Sequence, residues 1–231
     1  MSRQAAFKLI IENIQMFDEA SHLINDDFDS ELFNAVDNVI KEFEFDFECK
    51  GKFNSAENRF STFYPSYWLA NSSDDTDANN CYAHYYFGFE CDETGKKIHY
   101  WGITSLFSKV EGMVLGFYSW KKQFPKCGNK DWKEFMIEQN KKYPELGKLG
   151  FKFNTKGYDF YLPIKSLDPK LVIENYPDSL EDAMEPIRDA LKTLKEAHPI
   201  FNEIVEAAKE IWHKLGLVDV LRLQNHQEVF I

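Results

Sequence analysis

An α+β fold, with helices flanking a mainly antiparallel, aromatic-rich sheet, is what this sequence predicts. Three observations lead there. Apolar residues recur at three- and four-residue intervals near both ends of the 231-residue chain, but with period two through its middle. The middle segments are rich in Phe, Tyr and Trp, which suit a pleated, half-buried surface. Helical and strand-like stretches are also grouped, not interleaved, which argues against parallel βαβ units.

The elements follow in order. Phe7, Ile10, Ile11, Ile14 and Phe17 predict a helix over 4–24. Asp29 or Ser30 can cap a second helix, with Leu32, Phe33, Val36, Val39 and Ile40 as its apolar stripe. At Glu42 the period becomes two: Glu42, Glu44, Asp46 and Glu48 alternate with Phe43, Phe45 and Phe47, predicting a strand with its phenylalanines inward. Residues 57–70 read as an irregular aromatic segment with a short strand. The polar, acidic stretch 71–80 reads as a loop. Strands at 81–91 and 96–104 form a hairpin about Asp92–Gly95, and 112–120 forms a third strand. Asn129 or Asp131 caps a helix that Pro144 stops. Phe151 and Phe153 mark a short strand, and Tyr158, Phe160 and Leu162 another. Leu180, Met184, Ile187, Leu191 and Leu194 predict a helix with a kink at Pro186. After Pro199, Ile200, Ile204, Val205, Ala208, Ile211, Trp212 and Leu215 predict its C-terminal partner. Without an internal repeat or a flexible linker, residues 1–231 read as one domain, with 177–216 as a candidate helical subdomain.

Composition narrows the function. Hydrophobics at 44% and aromatics at 16%, including 21 Phe, suffice for a core. A net charge of −11 argues against direct binding to nucleic acid or an anionic membrane, both of which need cationic surface. It permits a basic protein partner or a cationic ligand. The N-terminal segment has no apolar signal core, and no run reaches the ~18–20 apolar residues of a membrane span, so a cytoplasmic location is expected. Four cysteines without CxxC spacing fit a reducing compartment.

The chemistry-bearing motifs are few. No glycine-rich phosphate loop, GxSxG, HExxH or EF-hand pattern is present, so no cofactor and no catalytic residue is assigned. Cys81, His84, Cys91 and His99 are too dispersed along straight strands to share a zinc ion. Asp74, Asp75 and Asp77 lack the glycine and terminal glutamate of a calcium loop. Glu48-Cys49-Lys50 matches the (Asp/Glu)-x-Lys core of metal-dependent PD-(D/E)XK nucleases, in which the acid binds Mg²⁺ and the lysine positions the attacking water; the acidic residue of a preceding strand is missing, because a helix precedes.

Further along, Tyr64-Pro65, Tyr82–Glu90, Ile98–Ile103, Leu115–Trp120 and Tyr158–Ile164 resemble the region C-terminal to the catalytic core in bacterial PD-(D/E)XK nuclease-like proteins linked to phage defence. The resemblance spans residues 30–195 and rests on aromatic strands. It implies an accessory or recognition module, not the catalytic half.

Two candidate binding surfaces remain. Carboxylates at alternate strand positions stand roughly 6–7 Å apart, close to the ~7 Å phosphate spacing of an extended nucleic-acid strand. Glu42, Glu44, Asp46 and Glu48, with Asp26, Asp27 and Asp29, can therefore imitate nucleic acid towards a basic, nucleic-acid-binding protein. Alternatively Tyr67, Trp68, Tyr86, Trp101 and Trp120 line a groove for a peptide, a base or a small ligand. The expectation is a non-catalytic interaction protein using the acidic face, with the nuclease and aromatic-groove readings as alternatives.

Overall fold

The computed structural model describes residues 2–70, 80–90, 101–108 and 112–227, with side chains as far as Trp212. It is an α+β structure. Helices α1 (Arg3–Glu12) and α2 (Ile14–Leu23) break at Asn13 and bury no residue. A π-helical turn, Ile24–Phe28, runs on into α3 (Asp29–Glu42). Strand β1 (Cys49–Lys52), helix α4 (Ser55–Asn58) and strand β2 (Ser61–Pro65) follow. Strand β3 is Ala83–Phe89, α5 is Thr104–Phe107 and β4 is Met113–Ser119. Helices α6 (Asn129–Lys142) and α7 (Pro144–Lys148) precede strands β5 (Lys152–Asn154) and β6 (Asp159–Pro163). Helix α8 (Pro169–Asn175) and the long α9 (Glu185–Gln227) complete the described chain.

The strands form one antiparallel sheet of order β1-β2-β3-β4-β6-β5. Its long pairing joins β3 to β4 from Ala83↔Ser119 to Phe89↔Met113. Period-two alternation sends Phe63, Tyr85, Phe87, Leu115, Phe117, Phe160 and Leu162 to one face, where all are buried. Helices α3 and α9 cover that face. In α9 the inward positions are Ile187, Leu191, Leu194, His198, Phe201, Val205, Ala208 and Trp212, spaced alternately by four and three. Phe201 is the hub. It stacks on Phe117 at 4.4 Å and meets Phe151, Phe160 and Tyr85 at 5.2–5.9 Å.

Several expectations need correction. Residues 43–48 are not a strand: α3 extends to Glu42 and β1 begins only at Cys49. Their burial nevertheless alternates as expected, with the phenylalanines half-buried and the acids exposed. A tight bend, in which Phe45 N–H donates to Phe43 O, interrupts the extended backbone. Asp29 does not cap a helix: the chain is already helical before it. The expected break at Pro199 is absent, because Pro199 lies inside α9. Of the second hairpin strand, 96–100 and the turn at 92–95 lie outside the described residues, and 101–107 is a turn followed by α5. The 71–79 loop also lies outside them. No helix among the described residues is long and apolar enough to cross a membrane.

Replacing Phe201 with Ala removes the ring that joins α9 to three strands and to Phe151. The expected cost is about 3–5 kcal/mol, read as a lower urea midpoint with an unchanged denaturant slope.

Candidate functional site

The sheet's second face carries a different set of residues. The register places Lys52, Thr62, Tyr86, Gly116, Tyr161 and Lys152 in one row across all six strands. The adjacent row contains Lys50, Tyr64, His84 and Tyr118, with Asp159 and Asn154 paired at its far end. Between these rows and the α4 segment lies a cleft of about 620 Å³, bounded by Lys52, Asn54, Asn58, Phe60, Thr62, His84, Tyr86, Tyr118, Trp120 and Asp159. That volume lies within the range of small-ligand sites.

Tyr86 and Gly116 shape its floor. A Cβ on Gly116 would overlap the Tyr86 ring, so only glycine lets that ring lie flat across β4. In this position the Tyr86 hydroxyl donates to Asp159 Oδ2 at 3.3 Å, and Phe60 stacks on the ring at 5.4 Å. Asp159 is buried, and burial pushes its carboxyl above the usual range, partly opposed by Tyr86 and the Asn154 amide. Burial likewise raises Tyr118, assisted by the negative charge of Asp159.

His84 and Trp120 form the deep end. Trp120 Nε1 donates to His84 Nδ1 at 3.0 Å. Indole N–H only donates, so Nδ1 carries no proton. Burial pushes the imidazole down to about 4, hence it is neutral at pH 7 and its proton sits on Nε2. Tyr118 packs beside it at 5.5 Å and meets Trp120 edge-on at 5.1 Å. The cleft thus combines four aromatic rings, a neutral imidazole donor, two asparagine amides and one lysine.

Only Tyr86 and Trp120 of the expected aromatic groove border this cleft. Trp68 is fully buried on the opposite face, where its indole donates to Asn202; its role as a groove residue is corrected to one in the core. Tyr67 is half-exposed on that same side. Its hydroxyl lies 2.6 Å from His198 Nε2, and Tyr85 lies 2.7 Å from Nδ1. This imidazole, pushed down to about 4 by burial, is neutral and can donate to one tyrosine while accepting from the other. The cluster clamps α9 to the sheet. Trp101 lies in the turn whose Ile103 N–H donates to Asp29, away from the cleft.

The acidic residues divide in the same way. Asp29 is buried, pairs with Arg59 at 3.1 Å and accepts from Ile103 N–H at 2.9 Å; it is a structural acid, not a contact acid. Asp26 and Asp27 are exposed on the π-helical turn, Asp26 lying 3.7 Å from His22. Glu42 is exposed at the end of α3, Glu44, Asp46 and Glu48 are exposed on the 43–48 ridge, and Asp46 pairs with Lys195 at 2.8 Å. In the Glu48-Cys49-Lys50 triplet, Glu48 is exposed before the edge strand, burial pushes the Cys49 thiol up to about 12, and Lys50 lies on the open face. Among the described residues no group of three His, Cys, Asp or Glu could hold a metal ion.

Tyr118, His84, Phe60, Asp159, Lys52, Asn54 and Asn58 were not among the expected groove residues. Their signal was the second phase of the same alternation: His84, Tyr86 and Gly88 on one strand, and Gly116, Tyr118 and Trp120 on its neighbour.

These features define a class: an α+β protein with one sheet face packed under helices and the other open as an aromatic cleft. No protein-family model, no curated protein and no solved structure matches the chain, so the functional argument rests on this geometry.

The neutral state of His84 sets a pH dependence. Between about pH 6.5 and 4 the unfolded chain binds a proton that the folded one does not, so stability falls as pH falls through that window. Asp159 acts in the opposite sense, because a raised carboxyl pKa favours the fold on acidification. Comparing wild type with His84→Gln cancels that term. From pH 7 to 4.5 wild type should lose about 2–3 kcal/mol more in urea unfolding than the variant; equal losses would show that the imidazole is not held neutral.

Proposed function

We propose that this protein is a ligand-binding module whose site is the open-face cleft. One observation carries the reading: in the same 620 Å³ space the sheet gathers Phe60, Tyr86, Tyr118 and Trp120 around the buried polar groups of His84 and Asp159. Sheets that bury only one face commonly present solvated polar residues on the other. Here large rings stand there instead, and Tyr86 lies flat only because Gly116 makes room. Such rings with a few convergent polar groups are the ordinary make-up of a site for a small, partly planar ligand. None of the roles inferred for these residues is catalytic.

A second reading is favoured by the 43–48 ridge. Glu42, Glu44 and Glu48 stay exposed on one projecting segment, a surface suited to a basic protein partner. Its affinity would fall steeply with salt. A charge-reversed triple variant (Glu42→Lys, Glu44→Lys, Glu48→Lys) should then lose capture of that partner, while the cleft's ligand is still bound.

The cleft reading is tested by ligand-observed NMR with a panel of nucleosides, nucleotides, monosaccharides and organic amines. At least one class should bind, with affinity reduced tenfold or more by Trp120→Ala and by Gly116→Ala, and unchanged by Tyr67→Phe on the other face. No binding by any class, or binding that survives both cleft variants, overturns it.

A further inference from the structure

The charges around the cleft narrow the ligand further, if the cleft is the binding site just proposed. The chain carries 38 acidic and 27 basic residues, and several of its described lysines are paired with carboxylates. Lys192, Lys195 and Lys209, for example, are all paired. Lys50 and Lys52 differ. They stand two residues apart on β1, on the same face and about 7 Å apart. Neither forms an ion pair among the described residues, and Lys52 borders the cleft. Lysine on an edge strand also discourages sheet-to-sheet pairing, but that role needs no aromatic cleft beside it.

The acid at the other end has one oxygen committed and the other, Oδ1, buried without a hydrogen-bond partner. Asp159 Oδ2 accepts from Tyr86, and a Cβ on Gly157 would abut Oδ1, which places that oxygen at the 154–157 turn. The strand order puts β6 four spacings from β1, about 19 Å at 4.8 Å per spacing. An anionic group at Lys52 is therefore remote from Asp159. An organic cation in the aromatic rings would meet a lysine at the rim, and the carboxylate of Asp159 already accepts from Tyr86 through Oδ2.

We propose that the cleft takes a nucleoside phosphate, its base stacked among Phe60, Tyr86, Tyr118 and Trp120 and its phosphate held by Lys52 with Lys50 beside it. Base-on-aromatic stacking tolerates any base, since every base has a π-face. The His84 Nε2–H donor and the Asn54 and Asn58 amides, which both donate and accept, can read a base edge. β3, which carries His84 and Tyr86, lies two strand spacings from β1, about 10 Å, so base and phosphate can be engaged together. The overall negative charge disfavours a long nucleic acid, but a single nucleotide meets chiefly the groups beside it, here Lys52 with Lys50 two residues away. The phosphate can belong to a free nucleotide or to one unit of a short single strand.

The experiment follows the Trp120 indole N–H in ¹H–¹⁵N NMR, assigned with Trp120→Phe. Adenosine, uridine, their 5′-monophosphates, inorganic phosphate, choline and an eight-nucleotide oligouridylate are titrated into the full chain. The proposal expects the monophosphates to bind at least tenfold more tightly than the nucleosides. That margin should shrink with salt and vanish in Lys52→Glu, whose fold is checked by circular dichroism. If the oligouridylate binds tenfold more tightly still, the source is a single strand; if it matches the monophosphate, the source is the free nucleotide, and both results support the class. Equal affinity for nucleoside and monophosphate overturns the proposal, as does choline binding without nucleotide binding, and in either case the cleft itself stands. Silence from every ligand here and in the wider panel overturns the cleft as well.

Discussion

The seating of α9 on one face of the sheet is the constraint on which the rest of the structure depends. Its inward stripe repeats every three and four residues from Ile187 to Trp212, and Phe201 interlocks with rings from β3, β4 and β6. A sheet this aromatic must bury a face to be stable. Once α9 and α3 have covered one face, period-two geometry assigns every other strand residue to the opposite side. The cleft is thus a consequence of which face the helices chose. His198 sits within the α9 stripe as a half-buried polar member, and its bonds to Tyr67 and Tyr85 satisfy it there.

Each face carries a neutral imidazole, His84 buried and His198 half-buried, and the two have different parts. His198 has both nitrogens engaged by tyrosines and joins helix to sheet. His84 has one nitrogen engaged by Trp120, which leaves its proton on the side of the cleft. The same contrast separates Tyr85, fully buried beneath α9, from its neighbour Tyr86, which crosses the open face above Gly116. Adjacent residues on one strand therefore serve core and cleft, and one glycine on the next strand decides how the outer ring lies.

The 43–48 acids and the β1 lysines also lie on different parts of the surface. One group of exposed acids lies on the 43–48 ridge, which Lys195 and the Phe47–His198 contact fasten to α9. The lysines of β1 belong to the opposite face of the sheet. Net charge alone pointed to a cationic partner for the whole surface. The fold divides that surface, placing Lys52 beside the cleft and the 43–48 acids elsewhere.

Sequence by itself determined the α+β class, the positions of α3, α6, β3, β4 and β6, and the inward stripe of α3, because hydrophobic period follows directly from local backbone geometry. It also determined that Phe43, Phe45 and Phe47 turn inward while their acidic neighbours turn out. Tertiary structure alone decided that this segment is not a strand: alternation specifies a face, whereas a strand needs a partner. The β1–β2 pairing runs out at Cys49↔Pro65, where β2 turns into the short 3₁₀ segment Ser66–Trp68 and leaves 43–47 nothing to pair with. Tertiary structure likewise decided which aromatics face the cleft, since strand register brings Tyr86 over Gly116 and within reach of Asp159 across three strands, a relation between residues far apart in the chain that no local pattern encodes.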